Sequence, residues 1–122
     1  MTRILVIDDS SFQRRIVTGI LEEAGYDLSI AENGRDALSL AQKEAPDLLI
    51  TDLLMPDFDG FYLLREARSH DLGIPILVLT SDIQDTTREQ CLALGASGVV
   101  NKPVKKEIIL SAVTHALSGE HP

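Results

Sequence analysis

Five short apolar runs rich in β-branched residues, at 3–7, 26–31, 47–51, 75–80 and 98–101, alternate with amphipathic stretches at about 10–24, 34–44, 60–69, 84–94 and 105–117. That alternation predicts repeated βα units feeding one parallel sheet. The runs ILVI, DLLIT and IPILVLT are nearly all apolar, as strands covered by helices on both faces must be, whereas YDLSIA alternates and predicts a peripheral strand. Helix one gathers Phe12, Ile16, Val17, Ile20, Leu21 and Ala24 on one face, opposite Arg14, Arg15 and Glu22. Gly25 ends it, Asn33 and Gly34 form a turn and open helix two, Pro46 stops helix two, and Asp59 caps helix three. Helix five carries Ile108, Ile109, Ala112, Val113, Ala116 and Leu117. Helix four, whose stripe IQDTTREQ is the most polar, has little to bury beyond Cys91, Leu92 and Leu94 and is expected to be the most loosely held.

The polar residues that interrupt this pattern fall at carboxyl ends of strands: Asp8 and Asp9 after the first, Asp52 after the third, Thr80 after the fourth and Lys102 after the fifth. Parallel strands place those ends on one edge of the sheet, so the residues converge there. In the common order 2-1-3-4-5, strands one and three are neighbours, and the crevice between them is the topological switch point. Three carboxylates about 4 Å apart repel by roughly 4 kcal/mol per pair at an effective dielectric near 20, so they require protons or a cation. One lysine does not neutralise three acids. An all-oxygen donor set suits a hard ion, and Mg²⁺ bound this way keeps waters that a phosphate can replace. Asp52 then reads as a nucleophile toward phosphorus, Lys102 as a second positive contact and Thr80 as a hydroxyl that senses the phosphorylated state.

Composition narrows the class. A chain of 122 residues, 44% apolar and 25% charged, fits a single globular domain without covalent staples. Nineteen acids against eleven bases give a net charge of -8, which disfavours nucleic acid and anionic membrane as partners. Cys91 is the only cysteine, so no intramolecular disulfide forms; at an apolar helical position it reads as a small core residue. His70, His115 and His121 have no metal-ligand spacing and read as surface residues. MTRILVIDDS meets carboxylates too soon for a signal peptide or a membrane span, so a cytoplasmic location is expected. Residues 118–122, SGEHP, read as a frayed tail.

The motifs IDDS, TDLLMPDFDG, VLTS and NKPV, in this order at strand ends, resemble the receiver domain of bacterial response regulators across the whole chain. The resemblance implies a flavodoxin-like, doubly wound (βα)5 α/β fold. It also implies Mg²⁺-dependent transfer of a phosphoryl group from a histidine kinase or histidine phosphotransfer protein to Asp52. By position, Asp9 matches a direct Mg²⁺ ligand, Asp8 an acid acting largely through water, and Leu54 the residue giving its backbone carbonyl to the ion. Thr80 matches the switch hydroxyl and Lys102 the phosphate-binding lysine, followed by Pro103 where the family has a cis bond. Helix one commonly docks the donor in this family, so Arg14 and Arg15 read either as a docking surface or as a solvated face. Leu54 and Asp82 lie where the family tunes phosphoryl lifetime; Leu54 should slow attacking water, and Asp82 either orients or repels it.

One position departs from the pattern. The family usually has Tyr or Phe three residues before the lysine, and this chain has Val99. The face of helix four, strand five and helix five is then expected to switch through the weakly packed fourth helix instead. Three rivals fit less well. A receiver without phosphorylation conflicts with the complete acid set, and a haloacid-dehalogenase-type phosphatase needs an acid where Leu54 stands. A flavodoxin-like electron carrier needs a hydroxyl-rich loop where DDSSFQ places acids. With no output domain, the expected roles are a stand-alone regulator of the chemotaxis type or a phosphorelay intermediate. The start methionine and natural-looking tail favour stand-alone over a receiver excised from a longer gene.

Overall fold

The computed structural model describes residues 2–119. Ten elements alternate: β1 (Arg3–Ile7), α1 (Ser11–Glu23), β2 (Asp27–Ala31), α2 (Gly34–Glu44), β3 (Leu48–Asp52), α3 (Gly60–Ser69), β4 (Ile76–Thr80), α4 (Asp85–Ala93), β5 (Gly98–Asn101) and α5 (Lys106–Leu117). All strand pairs are parallel and the sheet order is β2-β1-β3-β4-β5, the flavodoxin-like doubly wound arrangement. The edge position of β2 accounts for its alternating sequence, with Ile30 exposed and Ala31 buried. In the central strands both faces are covered, and the period of two divides their side chains between two cores. Ile4, Val6, Ile50 and Leu79 meet Val17 and Leu21 of α1 and Ile109 and Val113 of α5. Leu5, Ile7, Leu49 and Val78 meet Ala37 of α2, Leu63 of α3 and Cys91 of α4.

The helix starts expected at Asn33 and Asp59 are capped, and Ser10, not foreseen as a cap, does the same for α1. The side chains of Ser10, Asn33 and Asp59 accept from the amides of Gln13, Asp36 and Tyr62, opening α1, α2 and α3. Gly25, at φ +95°, turns the chain out of α1. Gly60 is required for another reason: a Cβ there would lie 2.9 Å from the Asp52 carbonyl oxygen and the Leu53 Cα. The loop after β3 therefore folds tightly against the strand end, closed by the Gly60 amide donating to the Leu53 carbonyl at 2.8 Å.

Two apolar faces differ from the sequence expectation. In α1 the buried stripe is Val17, Thr18 and Leu21, while Phe12 and Ile16 are 72% and 45% exposed. The first turns of α1 run beside the connection from β5 to α5, so both side chains border an open cleft with Pro103 and Val104. In α5, Ile109, Val113 and Ala116 face the sheet and Ile108 turns outward. Helix α4 matches its expectation: Cys91 is its one buried residue, and its N-cap, Gln84, makes no side-chain capping bond. Ser118 caps α5 through its amide. Residues 120–122 of the expected frayed tail, with His121, lie outside the described residues. Among those residues no helix is long and apolar enough to cross a membrane.

Candidate functional site

The carboxyl edge of the sheet assembles the acids. The Asp8 amide extends the β1 ladder by donating to the Ala31 carbonyl at 3.2 Å, which fixes Asp8 just past the strand, 2% exposed. Its Oδ1 accepts from the Ser10 amide at 2.9 Å, and its carbonyl accepts from Arg14 Nη1 at 2.7 Å. Asp52 ends the neighbouring β3. Carboxylate oxygens of Asp8, Asp9 and Asp52 all lie within 4.8 Å of one another, although their residues come from two strands.

Lys102 arrives from the far side of the sheet. Its amide donates to the Thr80 carbonyl at 2.8 Å, and the bond to Pro103 is cis. The side chain reaches back across β4, where Nζ lies 2.7 Å from Asp52 Oδ1 and also donates to Gln13 Oε1. The Lys102 and Asp52 side chains are only 12% and 13% exposed, so this contact is poorly screened by water. Burial pushes Asp8 above the ordinary carboxyl range, with repulsion from Asp52 and Asp9 adding to it; the Ser10 amide and Lys102 oppose the rise. A carboxylate cluster held against its own repulsion is the donor set a hard divalent ion fits, since the ion supplies the charge that one lysine does not.

Leu54, Thr80 and Lys102 border one cleft of about 300 Å³ with Asp9 and Asp52, so the six predicted site residues gather at this edge. Thr80 is 3% exposed, and its Oγ1 accepts from the Asp82 amide at 3.0 Å. Leu54 is 64% exposed, and its side chain stands at the mouth rather than filling the cleft. Asp82 borders the same cleft, where the sequence placed it, and has a further engagement. Its carboxylate accepts from the Gln84 amide at 2.9 Å and the Thr87 hydroxyl at 2.6 Å, so it is engaged in holding the start of α4. Those two bonds keep Asp82 below the usual carboxylate range.

The polar frame of α4 continues into β5: Asn101 Nδ2 donates to the Asp82 carbonyl at 3.1 Å, and Arg88 Nη1 to the Val99 carbonyl at 3.0 Å. Gln13 is the site residue that sequence reasoning missed. Its signal was present in Ser10-Ser11-Phe12-Gln13, the spacing of a capping box, which reads as helix punctuation. Cys91 lies apart, fully buried, and burial pushes its thiol up. His70 and His115 sit at the ends of α3 and α5.

Comparison with known proteins accords with this architecture. The family model for the response regulator receiver domain matches residues 4–114. Protein PilH of Pseudomonas aeruginosa is 34% identical over 121 residues, covering 98% of this chain and 100% of its own. Chemotaxis protein CheY of Halobacterium salinarum is 33% identical over 117 residues, covering 96% of this chain and 98% of its own. The structure of chemotaxis response regulator CheY4 of Vibrio cholerae superposes with a TM-score of 0.88 at 34% identity, covering 95% of this chain and 98% of that one. Fold, carboxylate edge and sequence match thus agree, and the chain belongs to the response regulator receiver domain family of two-component signalling.

Proposed function

We propose that Asp52 is the phosphoacceptor of this response regulator and that its phosphorylation is read out through the face of α4, β5 and α5. Receiver domains bind Mg²⁺ at an acidic pocket and interact with histidine kinases and output proteins. Asp9 and Asp52, with the Leu54 carbonyl, are the residues we assign to the ion directly, and Asp8 acts on it largely through water. The single observation that carries this reading is the Lys102 ammonium 2.7 Å from Asp52 Oδ1, beside two further carboxylates within 4.8 Å.

In the forward step a carboxylate oxygen of Asp52 attacks phosphorus on a phosphohistidine of a histidine kinase or histidine phosphotransfer protein. The P–N bond breaks, its electron pair returns to the imidazole, and an aspartyl phosphate remains. Lys102 stabilises charge that spreads onto the transferring oxygens, in a site dry enough for the contact to count. Bound Mg²⁺ supplies the remaining positive charge. The Thr80 hydroxyl gains a phosphoryl acceptor in the product and none before it. Turning toward that acceptor strains the Asp82 amide contact, which leads into α4 and, through Asn101 and Arg88, into β5. The chain is not an enzyme in the ordinary sense; its chemistry is gain and loss of its own phosphoryl group. The near full-length match to PilH and CheY supports one receiver domain over 1–122 that acts by protein contact as a chemotaxis-type regulator.

The test is incubation with Mg²⁺ and acetyl phosphate, followed by intact mass measurement of wild type and Asp52→Asn. The expected result is one phosphoryl group on wild type and none on the variant. Equal mass gain by both proteins rules Asp52 out.

A further inference from the structure

We infer that Gln13 is a positioning residue for Lys102, acting through the ammonium on the phosphoryl-transfer step; this rests on the assignment of Asp52 and Lys102 above. The local sequence makes Gln13 look like a helix cap. Ser10 and Gln13 have the spacing of a capping box, in which the side chain of the fourth residue returns to the amide of the first. Only half of that box exists. Ser10 Oγ accepts from the Gln13 amide at 3.4 Å, but the Ser10 amide is already taken by Asp8 Oδ1 at 2.9 Å. The Gln13 side chain is thereby released from capping, and its Oε1 accepts from Lys102 Nζ.

That contact matters because of what surrounds the ammonium. Lys102 has three N–H donors on a flexible stem, and its charged partner is the carboxylate that must attack phosphorus. Held by Asp52 alone, the ammonium would follow that carboxylate and screen the nucleophile. Gln13 anchors it from the helix side, leaving a donor for an incoming phosphoryl oxygen. As Asp52 charge passes onto the phosphoryl group, the Gln13 contact need not change, so the ammonium is oriented before and after transfer. A neutral amide suits this place: Glu would hold lysine more strongly but would add a fourth negative charge facing the phosphoryl group. Gln13 and Lys102 both line the acid cleft and the apolar cleft bordered by Phe12 and Pro103, so their contact lies where the two clefts meet.

The experiment measures phosphorylation rate constants with acetyl phosphate and saturating Mg²⁺ for wild type, Gln13→Met, Lys102→Ala and the double variant. Gln13→Asn is run in parallel, because it keeps the amide but shortens the reach, and thermal melts confirm that each protein is folded. Both Gln13 variants are expected to slow the reaction about tenfold, the lower end of the scale of one hydrogen bond to a charged group. In the Lys102→Ala background, Gln13→Met should add nothing, a non-additivity that a purely structural role does not produce. Wild-type rates in both Gln13 variants, or equal slowing with and without Lys102, overturn the inference. No phosphorylation of wild type instead overturns the assignment of Asp52 itself.

Discussion

The carboxyl edge of β1 and β3 and the face formed by α4 and β5 share one sheet, yet they are built in opposite ways. At the edge, Asp8, Asp52 and Lys102 are largely withdrawn from water and locked by short contacts to one another and to neighbouring amides. On the face, α4 buries Cys91 alone, and its other ties to the molecule include single polar bonds from Thr87, Arg88 and Asn101. The edge gains preorganised charge at the cost of repulsion, whereas the face is held by little apolar packing, the condition under which an element opens most easily. A signalling domain needs both, since a rigid reader would not respond and a loose site would not react.

The largest expected effect breaks the comparison if chemistry is not confined to the edge. Lys102→Ala removes a preorganised donor and should slow phosphorylation by on the order of 10²–10³. Arg88→Ala, on the face, should leave the same rate constant within about twofold. A comparable loss from Arg88→Ala would mean that the face controls the reaction as well as reporting it.

Stability should divide along the same line. Leu49, in the centre of β3, is fully buried, and Leu49→Ala should cost about 2–5 kcal/mol in urea denaturation. Leu92 of α4 is half-buried, and Leu92→Ala should cost less than about 1 kcal/mol. Equal losses would show α4 to be as firmly packed as the strands.

A smaller effect separates the two regions by pH and metal. Asp8 has a raised folded pKa, so the stability it contributes is fully present below the ordinary 3.8 and is lost as pH rises through the folded value. Asp8→Asn should therefore raise the melting temperature of metal-free protein near pH 7, by roughly 3–6 °C, and by progressively less as pH falls toward 4. Excess Mg²⁺ should stabilise wild type more than the variant and narrow or reverse the gap. A variant that melts below wild type in chelator near pH 7 would contradict the electrostatic account of the edge.

How much of this was legible in the sequence depended on whether the signal was periodic or contingent. Every strand and helix lies within one residue of its expected bounds, because apolar runs and caps such as Asp59 act locally. The convergence of Asp8, Asp9, Asp52 and Lys102 was legible because parallel strands fix which ends meet. Phe12 and Ile16 were not, since their exposure depends on where α1 crosses the β5–α5 connection, a tertiary fact without a period. Gln13 escaped for the same reason, and so did the part Asp82 plays at the start of α4, beyond the cleft position expected of it. Each has a side chain that serves two local patterns equally well, and only the prior claim of Asp8 on the Ser10 amide, or of Thr87 on Asp82, selects between them.

The smallest expected effect sharpens the comparison most, because it addresses the joint between the two regions. Thr80 belongs to the edge, Asp82 to the start of α4, and the Asp82 amide connects them. Thr87→Val keeps shape while deleting the 2.6 Å bond that ties the Asp82 carboxylate into the helix. That bond is the first cause of the depressed Asp82 pKa, so its stabilisation is present above the ordinary 3.8 and is lost as pH falls through the folded value. In Thr87→Val the acid-side loss should be smaller and should finish at higher pH, because the folded value lies nearer the ordinary one. The decisive measurement is the amide NMR spectrum with and without beryllofluoride as phosphoryl mimic. In wild type, shifts should extend from residues 52, 80 and 102 through 82–104 despite Val99 in place of an aromatic. In Thr87→Val the shifts at 52, 80 and 102 should persist while those across 85–93 shrink, because α4 no longer follows Asp82. If α4 shifts survive intact, the signal reaches the face by another route, and Asp82 is only a cap.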